Sequence, residues 1–140
     1  MNLGAGFEIS NYSLSYKSDG SAVKSTSVFF YGALSKRATD ISVTDETAMT
    51  MSLSFTGDKS SSLPTGATIV NGVESATYYK GGVKEELADY SVTYDKTDCT
   101  KIKDSSVFFY TGDKRATDAT DTDAMTKQVS FREIAVTSAE

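Results

Sequence analysis

Apolar and polar residues alternate with a period of two through much of this chain. Tyr12, Leu14 and Tyr16 are separated by Ser13 and Ser15, and Met49, Met51, Leu53 and Phe55 by Thr50, Ser52 and Ser54. Tyr90, Val92 and Tyr94 repeat the first pattern, and Met125, Val129 and Phe131 follow the second. Successive side chains of a strand point to opposite faces, so this alternation predicts strands with one apolar face. Val28-Phe29-Phe30-Tyr31 and Val107-Phe108-Phe109-Tyr110 are continuous apolar runs and predict central strands covered on both sides. Asp19-Gly20 marks a hairpin tip after the first strand, and Asn71-Gly72 marks another within residues 69–73. Residues 56–59 and 111–114, both Thr-Gly-Asp-Lys, predict turns that leave strands. Further strands are expected at 67–70 and 76–80, while 83–87 reads as one helical turn or an edge strand. Residues 44–48 and 120–124 place acids in what reads as a capped single turn before a strand. Nothing predicts a long helix.

These elements come twice. Tyr12 to Tyr16 return 78 positions on, as Tyr90 to Tyr94. Ser27-Val28-Phe29-Phe30-Tyr31 returns as Ser106-Val107-Phe108-Phe109-Tyr110, and Lys36-Arg37-Ala38-Thr39-Asp40 as Lys114-Arg115-Ala116-Thr117-Asp118. Ala48-Met49-Thr50, with Ser54-Phe55 after it, returns as Ala124-Met125-Thr126 with Ser130-Phe131. Self-similarity at this length points to an internally duplicated strand unit. The copies span 12–55 and 90–131, joined by a unique insert at 56–89. Units of about 40 residues seldom bury enough apolar surface to stand alone. Residues 1–140 are therefore expected to form a single domain whose halves share one core. Short strands with turns about every ten residues predict an all-β fold, a β-sandwich or a partly open barrel.

The stretch from Lys84 to Lys96 has an acidic lead-in, a Tyr-x-Val-x-Tyr strand and a polar turn. It resembles the immunoglobulin-like β-sandwich modules of phage virion proteins and bacterial surface proteins. The resemblance implies a sandwich and transfers no functional residues. The Cys, Trp, Cys pattern of antibody domains is missing, since the chain has one Cys and no Trp.

Composition narrows the chemistry. The chain has no histidine, which removes the commonest general base and zinc ligand. Ser-His-Asp and Cys-His nucleophile systems are excluded with it. The single cysteine, Cys99, takes the place of Gly20 in the second copy and forms no intrachain disulfide. A net charge of −5 disfavours nucleic acid and anionic membrane, which reward a basic face. No apolar run is long enough for a transmembrane helix. The residues after Met1 lack the basic and apolar regions of a secretory signal.

Two groups of residues merit attention. Asp118, Asp121 and Asp123 supply loop oxygens of the kind calcium takes, although their spacing is not that of an EF-hand and a solvated acidic loop is the simpler reading. Lys36, Arg37, Lys114 and Arg115 are paired bases in equivalent places, suited to contacts with a partner subunit or to local pairing with Asp40 and Asp118. No catalytic residue and no cofactor are expected. The expectation is a non-enzymatic structural subunit of a larger assembly, in its most concrete form a bacteriophage virion protein (capsid decoration or tail component) assembled in the host cytoplasm. Its partners would be other protein subunits, copies of itself included. The alternative is an exported bacterial adhesin or surface-filament module, at the cell surface or outside it, that binds a glycan or protein through its loops.

Overall fold

The structure, a computed structural model, describes residues 9–67, 72–82, 85–95, 97–98 and 101–132. Eight strands follow in order: β1 (Tyr12–Tyr16), β2 (Val23–Tyr31), β3 (Lys36–Arg37), β4 (Met49–Thr56), β5 (Val73–Lys80), β6 (Leu87–Tyr94), β7 (Ile102–Tyr110) and β8 (Met125–Arg132). Among the described residues there is no helix. Cys99, Asn71, Val83, Lys84 and most of the strand expected at 67–70 lie outside the described residues.

The fold is all-β, and every strand pair is antiparallel. The strands form one open sheet in the order β1-β2-β4-β5-β6-β7-β8, with β3 beside β2. Of the two expected architectures, a β-sandwich of two packed sheets or a partly open barrel, neither is seen: the described strands lie in one open sheet. The reason lies in the insert. Its strand β5 pairs with β4 on one side and β6 on the other, so the halves join edge to edge instead of stacking. No contact links β1 to β8.

Register sorts the two faces. One row across the sheet runs Tyr12, Val28, Leu53, Ala76, Val92, Ser105, Phe131. The next runs Phe30, Met51, Tyr78, Tyr90, Val107, Val129. These rows form the inner, apolar face. Its main cluster joins Val28, Phe30, Met51, Leu53, Phe55, Val73 and Ala76, with Leu63 and Ala67 of the β4–β5 loop packed against it. Val28, Phe30 and Leu53 are fully buried, and each such side chain contributes about 1.5–3 kcal/mol. Thr26 is buried beside them. Its hydroxyl donates to Gly57 O (2.7 Å) and accepts from Lys59 N (2.9 Å), which fastens the start of that loop to β2.

The opposite face carries rows of hydroxyls and, around Phe29 at the β2 end, a second apolar cluster of Tyr31, Ala38 and Val43 with Ile9 and Met49. One row runs Ser13, Ser27, Ser54, Ser75, Thr93 before ending in Asp104 and Arg132. Its neighbour runs Phe29, Ser52, Thr77, Ser91, Ser106, Ser130. An antiparallel sheet commonly buries one face and wets the other; here Ser13 and Ser130 on the edge strands are exposed, and the serines between them are half-buried except Ser106, which is buried.

The β5–β6 hairpin depends on Gly81. Its φ of 114° lies in the region that favours glycine, and a Cβ there would run into the backbone carbonyl of Glu85.

Candidate functional site

The two copies of the sequence pattern fold into two similar three-stranded meanders, β1-β2-β4 and β6-β7-β8. The β1–β2 pairing carries a bulge between Ser15 and Tyr16, and β6–β7 carries one between Thr93 and Tyr94. The β2–β4 pairing is bulged between Phe30 and Tyr31, and β7–β8 between Phe109 and Tyr110. A bulge re-aims the side chain that follows it. In both meanders the tyrosine after the bulge reaches back to the start of the first strand, to Ser10 two residues before β1 and to Ala88, the second residue of β6. Tyr31 donates its hydroxyl to Ser10 O (2.6 Å), and Tyr110 to Ala88 O (2.6 Å). Burial raises the pKa of both phenols.

The paired bases sit next to these tyrosine clamps. Arg37 and Arg115 turn inward. Arg37 donates from Nε (3.2 Å) and Nη2 (2.6 Å) to Asn11 Oδ1, and from Nη1 to the carbonyl of Pro64. Burial pulls its pKa down from the ordinary value. In the second half Arg115 meets Asp89 instead, with Nε 3.1 Å and Nη2 3.0 Å from Oδ1. Asp89 is fully buried, and its Oδ2 has no hydrogen-bond partner among the described residues. The lysines face outward. Lys36 lies 3.5 Å from Asp40, and Lys114 lies 2.7 Å from Asp123 rather than beside Asp118.

The acidic loop has a comparable internal use. Asp123 Oδ2 accepts from Lys114 and from the backbone N of Thr120 (2.9 Å), and these bonds, that from Lys114 foremost, hold its carboxyl below the usual range. Asp118 and Asp121 are exposed. Among the described residues no three His, Cys, Asp or Glu side chains come together to hold a metal.

Asn11 and Asp89 are the functional neighbours that the sequence reading passed over. Both stand immediately before the Tyr that opens a repeat. A second missed signal is Asp-x-Ser/Thr. Asp19, Asp40, Asp58 and Asp95 each accept from the residue two places on, which caps a turn. In each the Ser or Thr hydroxyl is the main cause of a lowered pKa.

Three surfaces remain. A depression of about 320 Å³ is lined by Met51, Tyr78, Tyr79, Lys80 and Tyr90 among others. A second, of about 570 Å³, lies on the hydroxyl face between Ser91, Asp104, Gln128 and Arg132. The third surface is the pair of sheet edges, which differ. β8 has Lys127 where β4 has Met51, with its Nζ 3.4 Å from Asp113 and 4.8 Å from the Phe109 ring centre, and it ends in Arg132. A lysine on the inner side of an edge strand discourages further pairing. β1 has no charged residue, and Tyr12 and Tyr16 on it are 40% and 58% exposed. Comparison with protein-family models, with curated proteins and with solved structures gives no match.

Proposed function

We propose that this protein is a non-enzymatic structural subunit of a larger assembly, built from a duplicated strand unit, and most concretely a bacteriophage virion protein of the capsid-decoration or tail type. The observation that supports this reading is the open sheet that ends in an uncharged strand, β1, with no strand on its outer side among the described residues. Unpaired N–H and C=O groups along such an edge are a template for another chain. The shared bulge positions and tyrosine clamps of the two meanders support the duplication. Lys36 and Lys114 are the outward members of the paired bases and the better candidates for contact with other subunits, while Arg37 and Arg115 brace each meander from within.

Light scattering on the purified chain tests the reading. The expected result is mass that grows with concentration. A well-folded monomer at every concentration reached would end it. The hydroxyl face favours a second reading, a surface module that binds a glycan, because rows of Ser and Thr with an adjacent polar depression suit a polyhydroxyl ligand. Titration with glycans, followed by chemical shifts of Ser91, Ser106 and Ser130, separates the two readings.

A further inference from the structure

We infer that β1 pairs with β1 of a second copy of the chain, antiparallel and centred on Leu14. The inference rests on the assembly reading and names its partner and its register.

The second half of the molecule displays such an edge when it is covered. β6 is the counterpart of β1, and the equivalent side of β6 is occupied by β5. There Tyr90, the counterpart of Tyr12, lies directly across from Tyr78, and the rings stack with centres 4.5 Å apart and planes at 15°. The bulge after Ser15 does not prevent the same at β1. Its equivalent after Thr93 leaves Thr93 paired with Ser75 of β5.

The sequence of β1 supplies the occupant. Tyr12-Ser13-Leu14-Ser15-Tyr16 reads the same in both directions. Antiparallel strands run in opposite senses, so a palindrome meets its own copy with like residues matched. Leu14 falls opposite Leu14 of the second copy, Tyr12 opposite Tyr16, and Ser13 opposite Ser15. Directly opposed residues share a face. The tyrosines and leucine therefore prolong the inner apolar layer, and the serines prolong the hydroxyl face.

Charge points the same way. Two β1 edges meet with no like charges opposed, whereas β8 brings Lys127 and Arg132. A contact between identical edges is isologous and closes at two copies. Its size sets its strength. Each copy offers two tyrosines, 40% and 58% exposed. A fully covered ring buries about 150–250 Å², so the four rings of the pair add on the order of 400 Å². With a ladder of five residues the contact remains below the roughly 1,200 Å² of a stable interface. The pair is weak in dilute solution and gains from high local concentration in an assembly.

Sedimentation of the full chain up to roughly millimolar concentration, in the weak range of the affinity scale, tests this with two double variants on the exposed serines. Ser13→Lys with Ser15→Lys sets lysine opposite lysine twice across the two-fold, and the dissociation constant is expected to rise roughly tenfold or more. Ser13→Glu with Ser15→Lys sets opposite charges face to face in this register alone, and association is retained. Thermal melting of each variant checks folding. Association that survives the paired lysines, or that is lost equally in the Glu/Lys variant, overturns the β1 pairing and leaves the assembly reading standing. A monomer at all concentrations overturns both. In that monomer, exchange-protected β1 amides would assign the edge to another segment of the same chain.

Discussion

Equivalent residues in the two meanders solve one problem with different chemistry. Arg37 is held by the neutral amide of Asn11, and Arg115 by the carboxylate of Asp89. A buried ion pair adds little over a neutral one, yet removal of one partner leaves a charge stranded. Asp89→Ala is therefore expected to cost about 3–5 kcal/mol in denaturant unfolding. Asp89→Asn recreates the arrangement of the first half, and Oδ2 accepts no hydrogen bond among the described residues that the new amide would break, so it is expected to cost less than half as much. Equal losses for the two variants would show that the charge itself is required. The turn-capping aspartates give a pH dependence. Asp19, Asp40, Asp58, Asp95 and Asp123 are held below their ordinary pKa in the folded chain. Their contribution is present above about pH 3.9, the unfolded value, and is lost as pH falls through the folded values. Tyr31, Tyr78, Tyr90 and Tyr110 are pushed up by burial, so their contribution holds below about pH 10 and is lost above it. The melting temperature is expected to be flat between these limits and to fall outside both; a fall confined to neutral pH would contradict the assignment.

Among the strands, β4 and β8 are counterparts with different duties. Met51 of β4 sits in the core, while Lys127 of β8 guards an edge. Lys127→Met is expected to change thermal stability by less than about 1 kcal/mol, since exposed pairs contribute little. It should raise light scattering with concentration, because the edge then resembles β4. No change in scattering would mean that Lys127 is not the guard. Half of the strands were legible from alternation alone: β1, β4 and β6 show apolar residues at every second position, β8 does so except at Lys127, and Asp19-Gly20 marks the hairpin after β1. The single sheet was not legible. Whether two similar meanders stack or align is decided by what β5 pairs with, and β5 reads locally like any other strand. The inward turn of Arg37 and Arg115 was hidden for a related reason. An Arg after a Lys looks solvated until the residue before each opening Tyr is known to be its acceptor. The repeat held that information in Asn11 and Asp89, but only a comparison of the two copies beyond their identical residues would have drawn it out.

At the scale of the molecule, burial is unequal along a sheet whose ends carry related sequences. β2 and β4 lie between neighbours and hold the fully buried side chains Val28, Phe30 and Leu53. Among the described residues β8 has a neighbour on one side only, and its residues are exposed apart from the half-buried Val129. Opening of a strand costs less where fewer apolar contacts must be broken, so amide exchange is expected to be slowest in β2 and β4 and fast in the end strands, β8 among them. Four positions make the comparison a controlled one. Met49, Thr50, Ser54 and Phe55 of β4 recur as Met125, Thr126, Ser130 and Phe131 of β8. Phe55 is 4% exposed and Phe131 is 38% exposed. Local sequence is the same at these sites, so any difference in protection reports the place of the strand in the sheet. Native-state hydrogen exchange on the dilute full-length chain measures it residue by residue. Protection of Ser130 and Phe131 is expected to fall well below that of Ser54 and Phe55. If the two sets are equally protected in dilute solution, something covers β8 there, and the account of β8 as a guarded, uncovered edge fails.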